Sequence, residues 1–93
     1  MNTDSCVMTL QKDHDAVIDG PVGSFCIEQS DAEKLMILKL PDSSVSGIFL
    51  RPTKNEGPSW EWDGNLEKPT LSPSVNRPGG WHGWISSGRM ESC

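Results

Sequence analysis

From Ser24 onward, short apolar runs alternate with turn-rich breaks, the spacing expected of a β domain built from short strands. Ser24, Phe25, Cys26, Ile27 and Glu28 predict one strand. Leu35 to Leu40 is a nearly continuous apolar run closed by Pro41, Asp42, Ser43 and Ser44, and predicts a buried strand. Ser30 and Glu33 have the spacing of a capping box, so a helix over residues 31–38 is the competing reading. Residues 45–51 predict a strand stopped by Pro52, and residues 53–58 a loop. In residues 59–62, strand periodicity puts Trp60 and Trp62 on one face and Glu61 on the other. Asp63, Gly64 and Asn65 turn the chain; residues 69–75, with two prolines, read as an extended edge or a loop laid across the sheet. Residues 81–86 and 89–93 read as a terminal hairpin around Ser87 and Gly88. The expected fold is all-β and mainly antiparallel, a small sandwich or barrel with a C-terminal hairpin and at most one short helix. Residues 24–93 form the β domain. Residues 1–23 form a polar, loose or partly disordered N-terminal segment, in which Cys6 to Leu10 can make a short edge strand.

Composition narrows the function classes. At 93 residues and 34% hydrophobic the chain holds one thin core, so tryptophans, a metal or a partner must supplement it. The net charge of −5, with no basic run, argues against nucleic-acid binding. Residues 1–56 carry nine acids against five bases, leaving the remainder nearly neutral. The first 20 residues lack the apolar segment of a signal peptide, and no stretch is apolar enough to span a membrane, so a cytoplasmic protein is expected. In that compartment Cys6, Cys26 and Cys93 are free thiols or metal ligands.

All four tryptophans lie between residues 60 and 84. They are expected to divide between core and groove, and exposed aromatics make good interface anchors. The candidate binding surface is Trp60, Trp62, Trp81, His82 and Trp84, rimmed by Arg77 and Arg89. His82 and Trp84 share one strand face. A histidine there can serve as a general base only beside a nucleophile or an orienting carboxylate. Asp63, Ser72 and Ser74 are the neighbours on offer, though their spacing does not demand it.

The motif Trp60-x-Trp62-Asp63-Gly64-Asn65, then Pro69-Thr70-Leu71-Ser72-Pro73-Ser74-Val75, then His82-x-Trp84-Ile85-x-x-Gly88, resembles a family of small bacterial, phage and prophage proteins. That family is a domain of unknown function, some of whose members are mislabelled ammonia monooxygenase. The resemblance covers residues 59–93 well and residues 24–40 loosely. It implies a zinc-binding β protein in which Cys26, His82 and Cys93 would be ligands; zinc needs a fourth, for which Cys6, His14, Glu28 or water are the candidates. Zinc is thus the one cofactor in view.

The function expected from these observations is that of a non-enzymatic, phage-type accessory protein binding a host or defence protein through its tryptophan-rich surface, with homodimerisation a further option. The alternatives are a zinc-stabilised structural module, or a small-molecule or nucleotide-binding protein or hydrolase centred on His82. No phosphate-binding glycine loop, metalloprotease motif or nucleophile elbow speaks for catalysis.

Overall fold

A computed structural model describes residues 5–30, 33–54, 56–76 and 80–92. The strands are β1 (Ser5–Val7), β2 (Thr9–Leu10), β3 (Ser24–Ser30), β4 (Glu33–Lys39), β5 (Val45–Leu50), β6 (Ser59–Trp62), β7 (Leu71–Ser72), β8 (Val75–Asn76), β9 (His82–Ser86) and β10 (Arg89–Ser92). One helix, α1 (His14–Asp19), lies between β2 and β3. Four strands form a sheet in the order β1-β10-β9-β8, and six form a second in the order β2-β3-β4-β5-β6-β7. The β2–β3 and β5–β6 pairs are parallel and the other pairings antiparallel. The all-β expectation holds. Among the described residues no helix is long and apolar enough to cross a membrane.

The chain passes between the sheets at both shared edges. The buried Met8 joins β1 to β2, and Pro73 and Ser74 join β7 to β8. Between the sheets lies the main core, in which Phe25, Met36, Leu38 and Leu50 of the larger sheet, with Leu40 just after β4, meet Val75, Ile85 and Met90 of the smaller. The outer face of the larger sheet carries a second cluster, where Val17 of α1 covers Cys26 and Ile37. Both faces of β4 are therefore covered, which explains its uninterrupted apolar run and why that run is a strand rather than the competing helix over 31–38.

Residues 5–23 of the N-terminal segment carry β1, β2 and α1; residues 1–4 lie outside the described part. β1 pairs with β10, with Cys6 opposite Met90, which places the first and last strands side by side in the smaller sheet. Asp13 caps α1 by accepting from the Ala16 amide at 2.9 Å. Lys39 Nζ donates to the Ile18 and Gly20 carbonyls at 2.8 and 2.9 Å, fastening the helix end to β4. At the β9–β10 turn Ser87 and Gly88 both have positive φ, 50° and 77°, the backbone that two-residue hairpin loops require. The turn is pinned to the chain just before β7, since the Ser87 amide donates to Thr70 Oγ1 and the Gly88 amide to the Pro69 carbonyl, both at 2.9 Å.

Candidate active site

The Trp-Asp-Gly-Asn motif builds a loop that delivers β7. Asp63 Oδ1 accepts from the Asn65 amide at 3.0 Å and the Thr70 amide at 3.3 Å. Asn65 Oδ1 accepts from the Glu67 and Lys68 amides, both at 2.8 Å, and its carbonyl takes Trp62 Nε1–H at 3.2 Å. Closed by Asp63 N–H to the Thr70 carbonyl at 3.2 Å, the loop returns the chain alongside β6, pairing Glu61 with Ser72 and Trp62 with Leu71. These side-chain acceptors take over amides that no strand partner satisfies.

Beyond β7 the chain turns at Pro73 and Ser74 into β8, whose Val75 faces Gly83 and whose Asn76 faces His82. Val75 is buried in the core, as are Gly83 and Ile85 of β9, so the alternation sends His82 and Trp84 to the outer face. Ser74 meets His82 there, with Oγ 3.5 Å from Nε2. That separation is within the looser reach common to nucleophile–base pairs before substrate arrives. A hydroxyl beside an imidazole nitrogen can act as a nucleophile when the nitrogen takes its proton, which requires Nε2 unprotonated and the other proton on Nδ1.

Both members of the pair are braced by tryptophans. Trp60 Nε1–H donates to the Ser74 carbonyl at 3.2 Å, its ring packed partly buried against the core. Trp81, 8% exposed, donates Nε1–H to Ser92 Oγ at 2.7 Å and lays its ring against Gly83, at the start of the strand that carries His82. A Cβ at Gly83 would collide with that ring and with the Glu91 carbonyl. Glycine at this position lets Trp81 sit in the core while its neighbour His82 faces out.

The four tryptophans of the candidate surface are placed differently from one another. Trp81 is core, Trp60 and Trp62 are partly buried against it, and Trp84, 52% exposed, is the one of the four that stands out from the fold. Arg89 lies exposed on β10, while Arg77 is outside the described residues. The zinc set is not brought together. Cys26 belongs to the cluster under α1 on the outer face of one sheet, and His82 to the outer face of the other, with the main core between them. Cys93 lies outside the described residues. Among the described residues no three His, Cys, Asp or Glu side chains are grouped to hold a metal ion. His14 and Glu28 do approach, Nδ1 to Oε2 at 3.9 Å, on the α1 side of the larger sheet. Burial pushes the Cys26 thiol above its usual range, with Glu28 and Asp13 adding to the shift. Burial also raises the Cys6 thiol, against a lowering by Arg89. Both are poor thiolates at neutral pH, as nucleophile or as ligand.

Sequence reasoning named Ser74 only as one neighbour of His82 among three. The available signal was the alternation itself: with Val75 and Gly83 inward, Ser74 and His82 must share the outer face if the two segments pair.

A family model described as "Bacterial ubiquitination-like system serine protease (BubE)" matches residues 11–93. No curated protein and no solved structure matches. The expectation of a bacterial domain family holds over most of the chain. The expectation of a non-enzymatic accessory protein that binds a host or defence protein does not, because the matched family is one of serine proteases. It rested on the tryptophan-rich surface and the resemblance to phage-type proteins, and no nucleophile elbow spoke against it, because this nucleophile candidate sits at a bend between two strands.

Proposed function

The chain belongs to the BubE family of bacterial ubiquitination-like system serine proteases, and from that premise we propose that it hydrolyses an amide bond with Ser74 as nucleophile and His82 as general base. The observation that carries this is the 3.5 Å approach of Ser74 Oγ to His82 Nε2 on an open sheet face. His82 Nε2 takes the hydroxyl proton as Oγ bonds to the substrate carbonyl carbon. The same nitrogen then protonates the leaving amine as the C–N bond breaks, which leaves an acyl ester on Ser74. Water, deprotonated by His82, attacks the ester, releases the carboxylic acid and restores the serine. The family's description places its proteases in a ubiquitination-like system, and the substrate proposed here is a protein of such a system.

Ser74 sits between two strands of two residues each, β7 and β8, and the geometry of the pair depends on the bend at Ser74, held by Trp60, and on the β8–β9 register. The test is phosphonylation by a small alkyl fluorophosphonate, which needs an activated serine and little binding surface. Wild type and Ser72→Ala should label at similar rates. Ser74→Ala should not label, and His82→Ala should label at least about 100-fold more slowly, the scale of losing a general base. Equal labelling of Ser74→Ala and wild type would overturn the assignment.

A further inference from the structure

A groove of about 540 Å³ is lined by Arg51, Pro52, Glu61, Trp62, Asp63, Thr70 and Ser72, of which Ser72 stands two residues before Ser74 in the chain. Its volume falls within the ~300–1,000 Å³ typical of ligand clefts. We propose that this groove holds the acyl-side segment of an extended peptide substrate and that Glu61 selects a lysine or arginine side chain in that segment. The inference rests on Ser74 being the nucleophile.

Three observations carry it. The first is continuity. Ser72 lines the groove and is two residues from Ser74, and Glu61 is its direct partner across the β6–β7 pair. The second is direction. The leaving amine must face His82 to be protonated, so the leaving segment lies over β8 and β9. The acyl segment then extends from Ser74 the opposite way, over β7 and β6, where the groove is. The third is charge. Glu61 and Asp63 bring two carboxylates to the lining against one guanidinium, and Arg51 is drawn toward Ser59, donating from Nε to its Oγ at 2.9 Å and from Nη2 to its carbonyl at 3.1 Å. Asp63 Oδ1 is committed to the loop amides, which leaves Glu61, on the open face of the pair, as the recognition group. Pro52 and the Trp62 ring supply apolar surface for the stem of a long basic side chain.

The experiment uses peptide diphenyl phosphonates with alanine at four acyl-side positions, in which lysine or glutamate is walked through each. At one position lysine should accelerate inactivation about fivefold over glutamate, the scale of one partly exposed ion pair. The preference should shrink in 0.5 M salt, as screening requires. Glu61→Lys should reverse it, read as the ratio of the lysine rate to the glutamate rate within that variant. Lysine and glutamate reacting alike at all four positions, or a lysine preference that survives Glu61→Lys, would overturn the groove assignment and leave Ser74 standing. Failure of the small fluorophosphonate to label Ser74 would overturn both.

Discussion

Replacing Trp60 with phenylalanine isolates the brace on the nucleophile. The substitution keeps an aromatic ring against the core and deletes the Nε1–H that meets the Ser74 carbonyl at 3.2 Å. A net hydrogen bond of this kind contributes ~1 kcal/mol, which for a domain of this size lowers Tm by about 4–8 °C. The effect on chemistry should be larger than the effect on stability. Ser74 Oγ already stands at the outer limit of reach to His82 Nε2, 3.5 Å, so there is no slack to absorb a shift at the bend. A displacement of about 1 Å can cost roughly 100-fold in rate. The expected result is a 10- to 100-fold slower fluorophosphonate reaction, an estimate bounded by that displacement, measured well below Tm. Trp62→Phe is the matched control: it deletes an equivalent bond, Nε1–H to the Asn65 carbonyl at 3.2 Å, in the loop rather than at the nucleophile. It should lower Tm comparably and change the rate little. Equal Tm losses with equal, near wild-type rates would refute the idea that Trp60 positions Ser74.

The other tryptophans separate in the same way. Trp81→Ala should destabilise by about 3–5 kcal/mol in denaturant unfolding, the cost of emptying a buried aromatic site, whereas Trp84→Ala should leave the fold within about 0.5 kcal/mol. Gly83→Ala should cost about 1–3 kcal/mol, because the added methyl meets the Trp81 ring and the Glu91 carbonyl; thermal unfolding reads it, and a near wild-type Tm would contradict the packing. Glu33 bonds the Thr53 hydroxyl and the Lys54 amide, and these bonds, Thr53 foremost, hold its carboxyl below the ordinary glutamate value of 4.5. Its contribution is therefore present above about pH 4.5 and is lost as pH falls through the lower folded-state value. Glu33→Gln should flatten that part of the acid limb of a stability–pH curve, and an unchanged limb would remove Glu33 from it.

Much of the fold was legible because the responsible signals are local. The run from Leu35 to Leu40 carries its own length and its own stop at Pro41, and Ser87-Gly88 is a turn whatever surrounds it. Helix α1 was not legible, since six residues with Val17 as the buried one present no apolar period, and its ends are secured by Asp13 and by Lys39 from a distant strand. The face of Cys26 was equally hidden. Phe25, Cys26 and Ile27 are all apolar, so the sequence does not say which side meets the main core and which meets α1. Which tryptophan is buried was not legible, because burial of Trp81 depends on the absence of a side chain at Gly83, a complementarity visible only in three dimensions. The Ser74–His82 pair needed the register of β8 on β9, and a two-residue strand takes its register from the bend before it, not from its own pattern.

The central claim is that Ser74 is the residue that becomes acylated, and the most direct measurement is tandem mass mapping of the adduct after reaction with a fluorophosphonate. One adduct per chain located on Ser74, and absent from His82→Ala under the same exposure, is the predicted result. An adduct on Ser72 or another serine, or none on the folded wild-type protein, would contradict it.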